Sequence, residues 1–197
     1  MPLALDKLLT EVRACTVCQS HFLHTPRPVL QCGVKARILI AGQAPGRKVQ
    51  ATGIPFDDAS GDRLRDWMGV DKAVFYDAEK IAILPMGFCY PGTGKSGDLP
   101  PRPECAPLWR QRLLEALPNI RLTLVIGQYA MAWHMPEVKK QTLTETVKHW
   151  QDHSAAGVVP LPHPSPRNNI WMAKNQWFAE EVLPRLKKKI QAAFDNA

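Results

Sequence analysis

No apolar run in this chain approaches the roughly 18 to 20 residues that a membrane-spanning helix needs. The opening MPLALDKLLTEVRACTVC also lacks the basic-then-apolar order of a secretory leader. A cytoplasmic protein with no membrane partner is therefore expected. Acidic residues are in deficit, with 18 Asp and Glu against 25 Lys and Arg and a net charge of +7. Such a balance concentrates polyanions, and DNA or RNA is the partner it points to. The densest basic run, Lys187-Lys188-Lys189, reads as a solvated helix end that complements the helix dipole. No internal repeat is present, and the 18 prolines stiffen loops without creating low-complexity sequence. With 45% apolar and 22% charged residues among 197, the composition excludes large-scale disorder. It fits one domain over 1–197 with one substantial core, and a monomer.

The cysteines number five, an odd count that rules out complete pairing into disulfides. In a reducing compartment they read as metal-binding thiolates or buried thiols. Cys15 and Cys18 form a CxxC pair, and Cys89 and Cys105 bracket fifteen residues in mid-chain. A close pair and a distant pair can converge on one tetrahedral centre, either zinc or an iron–sulfur cluster. Cys32 is then the odd thiol.

Leu5, Leu8, Leu9 and Val12 repeat at helical spacing and predict a first helix over 3–14, leading into CxxC. Residues 36–41 form a short β-branched and apolar run that stops at Gly42-Gln43-Ala44-Pro45-Gly46, as a buried parallel strand would. A helix over 60–68, opened by Ser60 as its N-cap, follows. Further strands are predicted over 80–86, 122–127 and 157–161, with a helix around 104–117 between two of them. Alternation of this kind implies an α/β protein: an open, mostly parallel four-stranded sheet with helices on both faces, in three α/β/α layers. Ligands bind such sheets at the carboxyl ends of the strands. GQAPG, the segment after Met86, Gly127-Gln128 and His163-Pro164-Ser165-Pro166-Arg167-Asn168 should gather there. Residues 91–103, rich in Gly and Pro, read as a long loop that needs a staple between Cys89 and Cys105 to be ordered.

Taken together, GQAPG, Gly53-Ile54-Pro55-Phe56, the cysteine quartet and HPSPRN resemble the uracil-DNA glycosylase superfamily. The resemblance is greatest to its iron–sulfur branch, family 4, and the HPSPRN loop is similar to that of the single-strand-selective branch. The resemblance implies a four-iron four-sulfur cluster on Cys15, Cys18, Cys89 and Cys105, with zinc as the alternative. It implies that Gln43 and His163 are catalytic, His163 steadying the charge that collects on the departing base. Gly42, Ala44, Phe56, Ser165, Arg167 and Asn168 would bind substrate, with Phe56 stacked on a flipped base. An extruded base offers an apolar face to an aromatic ring and polar edges to fixed donors and acceptors. Arg47, Lys48 and Arg167 are candidates for phosphate contact.

Three departures from the family stand out. Its first acidic residue is Gln43 here, its following acidic pair falls on Val49 and Gln50, and its base-reading asparagine falls on Pro85. Proline offers neither the donor nor the acceptor that separates uracil from cytosine. Asp57 and Asp58 are candidate replacements for the carboxylate. The expected function is hydrolysis of the N-glycosidic bond of a flipped deaminated base, uracil or a related base, in single- or double-stranded DNA. The alternative is an iron–sulfur DNA-binding or damage-sensing protein with little or no turnover. A zinc-stapled enzyme acting on a small nucleoside or phosphate is a third reading, because GQAPG could cradle an anion.

Overall fold

A computed structural model describes residues 2–95 and 97–195. The first helix, α1 (Pro2–Arg13), leads through a short 3-10 turn into β1 (Ile38–Ala41). Next come α2 (Arg47–Thr52), α3 (Ala59–Met68), α4 (Lys72–Phe75) and β2 (Ile81–Ile83). A hairpin of β3 (Thr93–Gly94) and β4 (Gly97–Asp98) precedes α5 (Cys105–Glu115), β5 (Leu122–Ile126) and α6 (Gly127–His134). The chain closes with α7 (Leu143–Lys148), α8 (Trp150–Ser154), β6 (Val158–Leu161), α9 (Asn169–Lys174) and α10 (Leu183–Asp195). Among the described residues, no helix is long and apolar enough to cross a membrane.

The main sheet runs β2-β1-β5-β6 and is parallel throughout, with Ile38 in register with Ile81 on one side and with Leu122 on the other. Alternation along β1 divides the core between the two faces. Ile38 and Ile40 pack with Leu64, Trp67, Phe75, Phe178 and Leu186, whereas Leu39 packs with Leu5, Leu9, Val12, Trp109 and Leu113. Full burial of each such side chain is worth about 1.5–3 kcal/mol. Helices thus cover both faces, and the expected three-layer α/β/α order holds.

Local corrections have local causes. An unexpected helix, α2, follows GQAPG directly, and α3, expected over 60–68, starts one residue earlier because Asp58, not Ser60, caps it: its carboxylate accepts the Gly61 N–H at 2.9 Å. The second strand is shorter than expected and ends at Ile83, although the Leu84 and Met86 N–H groups still donate to Ile40 O and Gly42 O. The third ends at Ile126, and Gly127, at φ 78°, opens α6 directly. Residues 91–103 are not all loop, since they carry the β3/β4 hairpin.

Candidate active site

At the carboxyl end of β1 the GQAPG loop remains tied to the segment that follows β2. Met86 N–H donates to Gly42 O at 2.8 Å, and Gly87 N–H donates to Gln43 O at 3.0 Å. A cavity of about 450 Å³ opens beside this seam. Gly42, Gln43, Ala44, Phe56, His163, Ser165, Arg167 and Asn168 all line it, together with Pro85, Asp58 and Asp98. Three separate stretches of chain therefore deliver the residues expected from sequence to one hollow at the sheet rim, whereas Gly127 and Gln128, expected with them, do not line it.

The loop after β6 is braced from within and from α3. Nδ1 of His163 accepts the Ser165 N–H at 3.2 Å, and its carbonyl accepts Asn168 Nδ2 at 2.7 Å. An accepting Nδ1 leaves the ring proton of the neutral imidazole on Nε2, which makes that nitrogen a donor. Burial pushes the His163 pKa below its ordinary value, against the opposing pull of Asp58 and Asp98. Arg63 completes the brace, donating to Ser165 O at 3.1 Å and to Asn169 Oδ1 at 2.8 Å. Sequence reasoning missed Arg63, whose partners lie about a hundred residues away.

Phe56 has φ 54°, the one positive value at a non-glycine position among the described residues. That conformation costs on the order of 1–3 kcal/mol and persists only where the surroundings enforce it. Here its carbonyl accepts Arg65 Nη1 at 3.5 Å and the Tyr76 hydroxyl at 3.4 Å. Arg65 is itself buried, paired with Asp62 at 2.6 Å and stacked on Phe75 and Tyr76. The Phe56 ring meets Phe75 edge-on with centroids 6.1 Å apart, and lies against Gly42. The ring is both a packed aromatic and a wall of the cavity.

Gln43 donates from Nε2 to Leu99 O at 3.4 Å, which ties the GQAPG loop to the residue after β4. Arg27 caps the carboxyl end of α2 by donating to the carbonyls of Gln50, Ala51 and Thr52. Arg167 is exposed and lines the cavity, whereas Arg47 and Lys48 are exposed at the start of α2 and do not line it. Of the two aspartates after Phe56, Asp58 lines the cavity while capping α3, and Asp57 does not line it. Below the floor, fully buried Arg110 donates to Leu84 O at 2.8 Å and Pro85 O at 3.1 Å, and through Nε to His134 Nε2 at 3.0 Å. Burial pushes Arg110 down to about 10; burial and the Arg110 charge push His134 down to about 3.

On the far side of the 89–105 segment, Cys15, Cys18, Cys89 and Cys105 line one recess with Phe22 and Trp109. Burial pushes Cys89 up to about 11 and Cys105 to about 12, with the neighbouring thiols adding to the rise in both. Cys18 is raised by burial and by Glu104, whose carboxylate accepts its thiol at 3.8 Å. Among the described residues, no three Cys, His, Asp or Glu side chains are grouped so as to hold a single metal ion. The Trp109 indole N–H is buried without a partner among the described residues. Cys32 lies apart, packed with Leu30 and Leu39 in the core.

A parallel α/β sheet with a hollow of about 450 Å³ at its rim, walled by Phe56 and His163, puts the candidate site where open α/β sheets bind their ligands. The model of the uracil DNA glycosylase superfamily matches residues 30–187, and the chain belongs to that superfamily. Cys89 and Cys105 fall inside the matched span, and Cys15 and Cys18 precede it.

Proposed function

We propose that this protein is a DNA glycosylase that hydrolyses the N-glycosidic bond of a deaminated base, uracil or a related base, flipped out of DNA. The observation that carries this reading is the convergence of GQAPG, Phe56 and the HPSPRN loop on one cavity, with the His163 tautomer set by Ser165. Phe56 stacks on the face of the everted base. His163 Nε2–H donates to a base carbonyl as electrons collect there, a stabilisation realised mainly in the transition state. Gln43, held through Nε2, keeps its Oε1 as an acceptor for water or base. Arg47, Lys48 and Arg167 contact phosphates and position the strand without reading sequence.

The four thiols of the recess hold a four-iron four-sulfur cluster. Four cysteine sulfurs are the usual donor set of such a cluster, with zinc as the alternative ion. Cys15, Cys18, Cys89 and Cys105 would hold the cluster, and the partnerless Trp109 N–H in the same recess would be a donor available to it. When bound, it staples α1 to the segment that carries the hairpin. Cysteines outside disulfides suit a reducing cytoplasm, where we place the protein as a single-domain monomer.

A second reading, a damage-sensing DNA-binding protein with little turnover, is favoured by Gln43 and Pro85 where relatives carry an acid and an asparagine. Release of free base from uracil-, hypoxanthine- and xanthine-containing oligonucleotides, single- and double-stranded, separates the two. DNA affinity without released base on any substrate rejects the enzyme.

A further inference from the structure

Hydrolysis needs an attacking water, yet the loop position nearest the end of β1 bears an amide, Gln43, which is a far weaker base than a carboxylate. Two carboxylates line the cavity among the described residues, Asp58 and Asp98. Asp58 is committed to capping α3, its Oδ1 accepting the Gly61 N–H at 2.9 Å. The Asp98 side chain, on β4, has no hydrogen-bond or ion-pair partner among the described residues. Its Oδ2 hangs over the GQAPG loop, 3.5 Å from the site a Cβ would occupy on Gly46. The Gln43 to Leu99 hydrogen bond, one residue further along, ties this part of the hairpin to the same loop.

We infer that Asp98 is the catalytic carboxylate that orients and deprotonates the attacking water, taking over on the hairpin the task that Gln43 cannot perform. This rests on the glycosylase reading. As the bond between C1′ and the base nitrogen breaks, its electron pair leaves with the base, whose carbonyl accepts from His163. The water oxygen bonds to C1′, and its proton passes to the Asp98 carboxylate. The base takes a proton from solvent and Asp98 returns its own, so base and abasic sugar are the only products. Both oxygens of the Asp98 carboxylate are free to approach the water, whereas Asp58 spends Oδ1 on the α3 cap, which fixes its side chain and leaves it only Oδ2.

The test is single-turnover base release by the full-length protein on whichever oligonucleotide the wild type processes, with binding to an abasic-site analogue measured in parallel. Asp98→Asn should lower the release rate about 100-fold or more with binding within about threefold of wild type. Asp98→Gly should regain part of its rate on adding formate, a rescue that a structural role would not produce. Release by Asp98→Asn within about threefold of wild type, or loss in Asp58→Asn with Asp98→Asn unaffected, overturns the assignment. A wild type that releases no base from any substrate fails the glycosylase reading itself, a separate outcome recorded before any variant is made.

Discussion

Gly61 approaches the carbonyl oxygen of Phe56 so closely that a Cβ on Gly61 would overlap it. The same carbonyl is held by Arg65 and Tyr76, so the left-handed backbone of Phe56 is clamped from one side by donors and from the other by a missing side chain. The ring is thereby presented to the cavity before any ligand arrives. Gly61→Ala should destabilise the fold by about 1–3 kcal/mol, the usual scale of overpacking, as read by urea unfolding. Phe56→Ala should weaken binding of base-analogue DNA by about 1–3 kcal/mol, the scale of base stacking on an aromatic ring; unchanged binding would count against the pocket.

His163→Ala should lower the rate of base release by about 100- to 1,000-fold, the effect of deleting one preorganised donor. His163→Gln, which keeps an N–H at the end of its side chain, should retain part of the rate. Because burial lowers the His163 pKa, the ring remains a neutral donor below the pH at which a free imidazole would charge. A pH–rate profile should accordingly show no loss attributable to this ring near pH 6.5, the ordinary histidine value.

Cys89→Ser or Cys105→Ser should bleach the visible absorbance of aerobically purified protein and lower its melting temperature, because metal binding contributes to folding free energy. Iron and sulfide analysis of the wild type should agree. A colourless wild type carrying zinc alone would contradict the cluster.

His134 accepts from a buried guanidinium and sits at a pKa of about 3 in the fold, against 6.5 when unconstrained. Between those values the unfolded chain binds a proton that the native state refuses, so stability is full above about pH 6.5 and falls as pH drops toward 3. From pH 7 to pH 5 the loss should be on the order of 2 kcal/mol. His134→Gln, which keeps an acceptor for Arg110 without a titrating ring, should flatten this acid limb in denaturant unfolding at the two pH values.

The β-branched run into GQAPG, the Phe56 stretch and HPSPRN were legible because each is a short local string, and the switch-point rule brings strand ends together whatever lies between them. Asp98 was hidden in a Gly- and Pro-rich stretch that reads as loop, and only the Thr93–Asp98 pairing turns it toward the cavity. Arg63, Arg65 and Arg110 escaped for a related reason. An arginine in a helical pattern looks solvated, and its buried role depends on carbonyls contributed by distant segments. The cap at Asp58 shows the same limit at short range: Ser60 and Asp58 are both good caps, and the turn after Phe56 decides between them.

Release of free base, followed by chromatography of the reaction products, tests the central claim most directly. On a uracil, hypoxanthine or xanthine oligonucleotide the wild-type protein should yield free base and abasic DNA in equal amounts, with no strand scission of its own. Intact oligonucleotide after prolonged incubation with saturating protein, on every one of these substrates in both single and double strands, would contradict it.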